Sequence, residues 1–387
     1  AMLPVMRLVP LKLLPFDNKN EVQVVIDMPR SASLEQTAAQ AKEVSSLVQQ
    51  LPEIQSIAAF VGVPSPIDFN GMVRQHYMRQ MPYQADLRLN LVDKNDREHQ
   101  SHSVVLRLRE LLEPLNRDQI QVRVVEVPPG PPVLSTLVVE VYGDKLTSYE
   151  QQERAALALA DRMRREPHVV EVDTSEETPQ LRQRFITDKN KAALSGISTA
   201  DINTTLALAN AGLDIGYILG EDEVRPLPIE LRLPESERHS IHDFQRLYVK
   251  GQPGATRQTS AEGLSLAPQP LVALGELGQF ETLEAEPVIL HKDLRPVVYV
   301  TAELNGRTPA EVIADLNADR LNPDSGTPDS ARQVPWQDRN FLNSGGNDFW
   351  SVDSNIELKW TGEGEWLITK DVFRDMGLAF LFALIAI

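Results

Sequence analysis

Glu21–Met28 reads EVQVVIDM, a β-branched and alternating stretch that ends at Pro29, and it decides how the chain begins to fold. This pattern predicts a β-strand. Apolar residues at helical spacing follow from Ser33 and predict a helix packed through one face. The series continues to the order βαββαβ, with strands at 54–61, 85–92 and 119–127 and a second helix at about 98–115.

The same order returns later in the chain, where an interruption divides it. Strands are predicted at 136–142, 169–173, 296–303 and 356–360, and helices at 148–165 and from Thr308-Pro309 onward. Proline is favoured at the first position of a helix, which supports the second helix start. Because a βαββαβ order is typical of a ferredoxin-like sandwich, we predict an α+β fold with two such units and a further α+β unit inserted in the second.

The interruption, at about 180–280, has a pattern of its own. Helices are predicted over 189–194 and from Ser198, and a hairpin is predicted from 211–217 and 224–231. Pro226 and Pro228 each remove a backbone donor, so the second strand of this hairpin should lie at a sheet edge. A polar stretch at 320–350 is predicted to be a loop insertion.

Both ends of the chain are apolar. Residues 378–387 read LAFLFALIAI, about half of the roughly 20 apolar residues that cross a bilayer. We interpret 369–387 as the start of a transmembrane helix; the alternative is a buried C-terminal helix of a soluble protein. The proline-broken apolar segment near the other end has no signal-peptide cleavage pattern. If both ends adjoin membrane helices, the residues between them form one large extramembrane region.

Composition excludes several classes of function. The formal net charge of −17 argues against a nucleic-acid partner, which a basic surface would bind. The chain has no cysteine, so it has no thiolate metal site, disulfide or cysteine nucleophile. We find no nucleophile elbow, phosphate-binding glycine loop or His-Glu zinc pattern. The sequence therefore predicts neither an enzyme nor a bound cofactor.

Several stretches, taken in order, resemble the second large periplasmic loop of resistance-nodulation-division (RND) efflux transporters. The start of that loop is similar to Leu13–Glu21, and the beginning of its docking domain is similar to Asp188–Leu206. The return from the docking domain is similar to Leu271–Leu277, and the helix that leads into the next membrane span is similar to Gly364–Leu378.

The resemblance implies an inner-membrane, proton-driven pump of which this region is periplasmic. It implies a homotrimeric parent, or a heterotrimer with a paralogous subunit, that works with a periplasmic adaptor protein and an outer-membrane channel. Substrate passes between two porter subdomains, while the proton-relay carboxylates lie in the membrane part. The implied segments are 1–17 near the membrane, 18–133 as first porter subdomain, 134–181 with 279–368 as second, 182–278 as docking subdomain, and 369–387 entering the membrane.

The stretch at 62–83 is the predicted substrate contact. By position it resembles the flexible loop that borders the drug pocket in the family, although it departs from the usual glycine-rich form of that loop. It is too long for a hairpin turn, and thioethers with aromatic rings suit a pocket that repacks around different small amphiphilic ligands. The alternative is that its apolar residues cover the underside of the loop. The candidate residues are Phe69, Met72, Arg74, His76, Tyr77, Met78, Met81 and Tyr83.

The hairpin of the inserted unit is the predicted contact for adaptor and outer-membrane partners. Its candidate residues are Gly216, Tyr217, Gly220, Glu221, Asp222 and Arg225. A region that acts mainly in docking is therefore an alternative to a substrate-conducting one.

Export of a soft metal ion is a further alternative implied by the resemblance, because heavy-metal members of the family use methionines in the cleft to pass soft cations such as copper(I) and silver. Met72, Met78 and Met81 lie on one loop, however, and are not spread across a cleft. His99 and His102 could form half of a metal site, but a solvated helix end is the favoured explanation. We predict no metal site and favour an organic substrate.

Overall fold

The computed structural model describes residues 2–12, 17–117, 119–126, 133–176, 181–220, 224–252, 255–260, 263–266, 269–321 and 334–386. The chain forms two compact units, Ala1–Glu177 with Pro287–Ile387, and Thr178–Glu286. The second of these is called the inserted unit below.

The secondary structure follows the chain in three sections. The first has α1 (Met2–Val5), β1 (Glu21–Asp27), α2 (Leu34–Val48), β2 (Ile54–Val61), α3 (Phe69–Val73), β3 (Gln84–Leu91), α4 (Ser101–Leu112), β4 (Gln121–Val125), β5 (Leu137–Gly143), α5 (Tyr149–Arg165) and β6 (Val169–Thr174). The inserted unit has β7 (Leu181–Thr187), α6 (Lys189–Leu194), α7 (Thr199–Ala211), β8 (Leu213–Ile218), β9 (Leu227–Leu231), α8 (Ile241–Gln245), β10 (Tyr248–Lys250), β11 (Ala255–Ser260), β12 (Gly263–Leu266), β13 (Leu271–Ala273), α9 (Leu274–Leu277) and β14 (Gly278–Glu284). The last section has β15 (His291–Lys292), β16 (Arg295–Pro296), β17 (Val298–Leu304), α10 (Pro309–Ala318), β18 (Ile356–Lys359) and α11 (Glu365–Ala386).

The first sandwich consists of β1–β4 with α2 and α4. Its four strands are antiparallel and lie in the order β2-β3-β1-β4, which is the ferredoxin-like arrangement. Ser33 caps the start of α2 in a reciprocal capping box. The Ser33 hydroxyl accepts a hydrogen bond from the Gln36 N–H, and the Gln36 side chain accepts one from the Ser33 N–H. One face of the sheet packs on the helices through a buried apolar cluster that includes Val24, Leu87 and Leu108.

The second sandwich consists of β5, β6, β17 and β18 with α5 and α10. Its order, β18-β5-β17-β6, repeats the arrangement of the first, although the inserted unit separates β6 from β17 in the sequence. Pro309 is the first residue of α10, as predicted. Leu159 and Val300 belong to the apolar cluster between helices and sheet. The predicted α+β fold with two ferredoxin-like units is confirmed.

A cluster of ion pairs is buried in the second sandwich. Asp315 of α10 has a fully buried side chain, and it accepts hydrogen bonds from Arg7 (Nη2 to Oδ1, 2.7 Å) and Arg307 (Nη2 to Oδ2, 2.6 Å). Arg339 Nη1 reaches the same carboxylate at 3.1 Å and Glu166 at 2.7 Å. The cluster, called the buried ion cluster below, therefore joins residues near the start of the chain to α10 and to the segment after residue 333.

The inserted unit has a small core of its own. Ile202 of α7, Val249 of β10 and Leu274 of α9 belong to its buried apolar cluster. Its β-structure consists of separate two-stranded pairs within the described residues, and β9 pairs with β8 alone. Pro228 therefore lies in an edge strand, as predicted, and Pro226 directly precedes that strand.

Apolar side chains of α11 are exposed, including Phe380 at 65% and Phe382 at 69%. In the part of the chain that the structure describes, no helix combines the length and the apolar character needed to cross a membrane.

Candidate functional site

The β2–β3 loop, residues 62–83, is folded over the first sandwich. It contains α3 and a 3₁₀ turn at His76–Met78. Asp68 caps α3 by accepting a hydrogen bond from the Gly71 N–H, which is why a short helix forms in a stretch that the sequence predicted to be a plain loop. The chain reverses between these turns at Gln75, whose φ of 58° is left-handed.

Two arginines anchor the β2–β3 loop to the sheet face opposite the helices. Arg79 donates to Asp27 at 2.8 Å and to Asp86 at 2.7 Å, and it also donates to backbone carbonyls of β1 and β3. Arg88 of β3 donates to Asp68 and to other atoms of the loop. The loop is thus attached to the sheet by partly buried, charge-assisted hydrogen bonds, which are stronger than neutral ones.

The predicted substrate residues divide into two groups. Arg74, His76 and Tyr83 are partly buried. The others present apolar surface to the outside: Phe69 (66% exposed), Met72 (49%), Tyr77 (39%), Met78 (61%) and Met81 (50%).

The buried side of the loop reaches the second sandwich. Arg74 Nη2 donates to Glu303 Oε1 of β17 at 3.1 Å. A cavity of about 200 Å³ lies here, and its lining includes Arg74, His76, Arg123, Glu171 and Glu303. The loop therefore contributes to a charged contact between the two sandwiches.

Side chains also bridge the facing edge strands of the two sheets, β4 and β6. Glu171 of β6 has a left-handed backbone (φ 52°) and accepts from the Val124 N–H of β4 at 2.9 Å. Arg109 donates to the Glu171 carboxylate, and Arg123 pairs with Asp173. Burial raises the pKa of Glu171, with Glu303 adding to the effect and Arg109 opposing it. A larger cavity of about 920 Å³ lies along this edge.

Sequence reasoning missed the charged groups of this inter-sandwich contact. Their signal in the sequence is a charged residue inside a predicted strand with apolar residues on both sides, which indicates a charge on a covered sheet. Asp27, Arg123, Glu171 and Glu303 all have this character. In a ferredoxin-like unit such residues point to the sheet face that the helices leave uncovered.

The β8–β9 hairpin carries the predicted docking residues of the inserted unit. Tyr217 is 66% exposed and Arg225 is exposed, while Gly216 and Gly220 are partly buried. Glu221 and Asp222 lie outside the described residues. Apolar side chains are exposed on both strands, including Ile215 (57%) and Leu231 (49%), so this hairpin presents an apolar surface.

The sequence of the chain matches the family model described as the AcrB/AcrD/AcrF family over residues 1–322. The chain belongs to this family. Its members are RND transporters, so the resemblance seen in the sequence is confirmed. No curated protein matches the chain.

Solved structures of an RND protein share the fold. Two crystal forms of a heavy metal efflux pump match with TM-scores of 0.62, at 17% and 18% identity. The matches cover 96% and 97% of this chain but 34% of each pump chain, so the chain spans about a third of their length. At this identity the likeness shows the fold alone.

The histidine and carboxylate side chains of the described residues bear on the metal alternative. Among the described residues, no group of three or more His, Cys, Asp and Glu could hold a metal ion. His102, one half of the predicted histidine pair, contacts Glu126 through Nδ1 at 2.9 Å.

His76 of the β2–β3 loop should stay neutral in the folded chain between about pH 8 and pH 5. Burial, together with the charges of Arg79, Arg74 and Arg88, lowers the pKa of His76 to about 3. An unfolded histidine binds a proton near pH 6.5, so the folded state loses stability relative to the unfolded state as the pH falls from there toward 3.

NMR titration of the His76 imidazole measures this directly. We expect no change in its chemical shifts between about pH 8 and pH 5, whereas the same residue in the urea-unfolded chain should titrate in that range. A midpoint in the folded chain close to that of the unfolded one would contradict the buried, cationic surroundings.

Proposed function

We propose that the chain is the periplasmic part of a proton-driven RND efflux pump that conducts amphiphilic or hydrophobic compounds toward an outer-membrane channel. In this proposal the first and second sandwiches belong to the porter subdomains, at 18–133 and at 134–181 with 279–368. The docking subdomain is 182–278, and the segments at 1–17 and 369–387 adjoin membrane helices. The protein is then a transporter of the inner membrane and not an enzyme.

The exposed apolar surface of the β2–β3 loop carries the proposal. Phe69, Met78 and Met72 expose 66%, 61% and 49% of their surface beside a contact between two sandwiches. Grouped apolar side chains on a surface mark a place for a ligand or a partner. Methionine and aromatic side chains adapt to ligands of different shape, which suits a pump with a broad range of amphiphiles.

The loop is attached at its base and exposed at its tip, an arrangement that suits this role. Arg79 and Arg88 fix the backbone on the first sheet. The apolar side chains can then change rotamer without moving the whole loop. A rigid base with adaptable side chains limits the entropy that is lost when a ligand binds.

The inserted unit supports a second part of the same proposal, which is docking. The exposed apolar side chains of the β8–β9 hairpin suit contact with another protein, and Tyr217 is the aromatic residue among them. We propose that this hairpin contacts the adaptor or channel in a trimeric parent, formed by identical or paralogous subunits.

Metal export is the less favoured candidate. The structures that share the fold are described as those of a heavy metal efflux pump, but 17–18% identity does not carry their substrate to this chain. The methionines of the β2–β3 loop alternate with aromatic and charged residues, a mixture that suits an organic ligand better than a soft cation.

Phe69→Ala tests the proposal in the full-length transporter, expressed in a strain without other efflux pumps. We expect resistance to large aromatic amphiphiles to fall because an exposed ring that contacts substrate is lost. Loss of one aromatic contact is worth about 1.4 kcal/mol, or roughly tenfold in affinity. The readout is growth inhibition across a panel of dyes, detergents, silver, copper and zinc salts, together with cross-linking of the assembled complex.

Tyr217→Ala is the matched control, since Tyr217 and Phe69 are both 66% exposed aromatic residues. It should weaken cross-linking to partners and lower resistance to all substrates alike. Unchanged resistance across the panel for Phe69→Ala would sink the substrate assignment. Loss of silver or copper resistance alone, caused by Met72→Leu or Met78→Leu, would instead support the metal candidate.

A further inference from the structure

Arg74 connects the β2–β3 loop of the first sandwich to the second sandwich. It follows directly after α3, and its side chain is 11% exposed. Its Nη2 donates to Glu303 Oε1 at 3.1 Å. Glu303 lies on β17, an inner strand of the second sheet. A movement of β17 relative to the first sheet therefore displaces the C-terminal end of α3, the helix that carries Phe69 and Met72.

The Glu303 carboxylate is held in a fixed position. The Ser135 hydroxyl donates to Oε1 at 3.1 Å, and the Thr136 hydroxyl donates to Oε2. Burial would raise the pKa of Glu303, but the charges of Arg74 and Arg109 and the hydrogen bond from Thr136 bring it below its usual value. The carboxylate is thus an ionised acceptor built into the second sandwich.

Arg74 makes fewer hydrogen bonds than Arg79 among the described residues. Among the described residues, Arg74 Nε and His76 Nδ1 are buried without a hydrogen-bond partner, and both side chains line the 200 Å³ cavity. Arg79 instead makes hydrogen bonds to Asp27, to Asp86 and to two backbone carbonyls. The loop is therefore fixed to the first sandwich at Arg79 and attached to the second through the Arg74–Glu303 ion pair.

We propose that Arg74 and Glu303 are positioning residues, through which the second sandwich sets the position of α3 and of the apolar side chains on it. When the two sandwiches separate, the Arg74–Glu303 ion pair breaks and α3 is no longer attached to the second sandwich. Arg79 still keeps the loop attached to the first sandwich. When they approach, the pair re-forms and returns α3 to one position.

This inference rests on the proposed role of the β2–β3 loop in contacting substrate, and it assigns a different task to Arg74. The arginine acts through α3 and does not itself bind substrate. The cavity beside it gives the guanidinium room to move, because a cavity of 200 Å³ can hold several water molecules. Water in that space would solvate Arg74 once it leaves Glu303.

Hydrogen–deuterium exchange of the chain tests the ion pair without reference to transport. We expect Arg74→Gln and Glu303→Gln each to speed amide exchange in Phe69–Met78 by about tenfold, because the loop then opens locally more often. Exchange in β1 and β3 should stay unchanged. The double variant Arg74→Glu with Glu303→Arg should return exchange toward the original rate, whereas either reversal alone should not.

Two control variants keep the test decisive. Arg295→Gln removes an exposed ion pair with Glu357 elsewhere in the second sandwich, and it should leave the loop unaffected. Glu303→Asp keeps the charge if Glu303→Gln fails to fold, and it should give a smaller increase in exchange. Equal exchange in Phe69–Met78 for the original chain and for every Arg74 and Glu303 variant would overturn the proposal.

Transport by the full-length protein separates this inference from the proposed function. If the unmodified pump exports none of the amphiphiles in the panel, the proposed function fails while the exchange result still decides the role of the ion pair. If export occurs, Arg74→Gln should change the relative resistance to large and small amphiphiles, and Arg74→Lys should restore most of the original profile. A uniform loss of resistance, not rescued by lysine, would count against a positioning role.

Discussion

Replacing Asp315 by asparagine is expected to lower the free energy of unfolding of the chain by about 3–5 kcal/mol, because it removes the carboxylate that three buried arginines have in common. Arg7, Arg307 and Arg339 all donate to Asp315, and the Gly345 N–H donates to it at 3.0 Å. An amide cannot balance these positive charges, and its NH₂ group would face donors. Urea unfolding at neutral pH measures the loss.

The same carboxylate makes stability depend on pH. Burial would raise the pKa of Asp315, but hydrogen bonds from Arg7 and Gly345 and the charges of Arg7 and Arg307 hold it below the ordinary value of 3.8. A carboxyl whose pKa is lowered by folding stabilises the protein above its unfolded pKa, and that stability is lost as the pH falls further. The difference between Asp315→Asn and the original chain should therefore shrink as the pH falls below about 4.

Glu357→Gln is the matched control for this substitution. It also converts a paired carboxylate to an amide, but Glu357 and its partner Arg295 are 57% and 48% exposed. Surface pairs contribute at most about 1 kcal/mol, so the change should be small. If the two variants lost equal stability, the buried ion cluster would not be a stabilising centre of the second sandwich.

Replacing Arg79 by methionine is expected to detach the β2–β3 loop from the first sandwich and to lower the free energy of unfolding by about 3 kcal/mol. Methionine keeps an unbranched apolar stem but removes every donor. Asp86 has a side chain that is 1% exposed, and it would lose its ion pair with Arg79. Chymotrypsin cleavage at Tyr77 is a direct measurement, because a detached loop fits a protease active site more readily than an anchored one.

Arg154→Met is the control for cleavage, since it is the same substitution at an arginine of α5 whose side chain is 67% exposed and whose ion pair with Glu150 is at 4.0 Å. It should cleave at the original rate and unfold at the original urea concentration. Cleavage of Arg79→Met at that same slow rate would show that the loop is held by its apolar contacts and not by the arginine.

The local elements could be predicted because their signals are local. The alternation in Glu21–Asp27, the capping serines at 33, 148 and 198 and the Thr308-Pro309 start all place elements where the structure has them. The order of those elements then gave the two ferredoxin-like units. Each of these inferences needs only residues within a few positions of one another.

The buried ion cluster and the contact between the sandwiches could not be predicted in the same way. Arg7 and Asp315 are 308 positions apart, and Arg74 and Glu303 are 229 apart. Charged residues are common on the surface, so nothing near Asp315 in the sequence distinguishes it from an exposed aspartate. The sequence predicts a loop insertion at 320–350, and nothing in it indicates that Arg339 and Gly345 of this stretch donate hydrogen bonds to the buried Asp315 carboxylate.

The β2–β3 loop could be predicted only in part from the sequence. Its length and its methionine and aromatic content marked it as the candidate for substrate contact. Composition does not tell which side chains face outward, because that depends on the short helix and the left-handed turn at Gln75. The sequence predicts Arg74 as a substrate contact, and nothing in the sequence indicates its ion pair with Glu303 or the ion pairs of Arg79 with Asp27 and Asp86.

The buried ion cluster also has a mechanical meaning. Arg7 joins the start of the described chain to α10, and the Phe341 N–H donates to the Val5 carbonyl at 3.0 Å. At the other end, the Glu365 N–H donates to the Thr136 carbonyl, and Trp366 packs against the core of the second sandwich. The segments around Arg7 and around Glu365 are thus both attached to the second sandwich. Among the described residues, tension applied between these two attachment points would act directly on the second sandwich, and it would reach the first sandwich through the hydrogen bonds and ion pairs that join the two sheets.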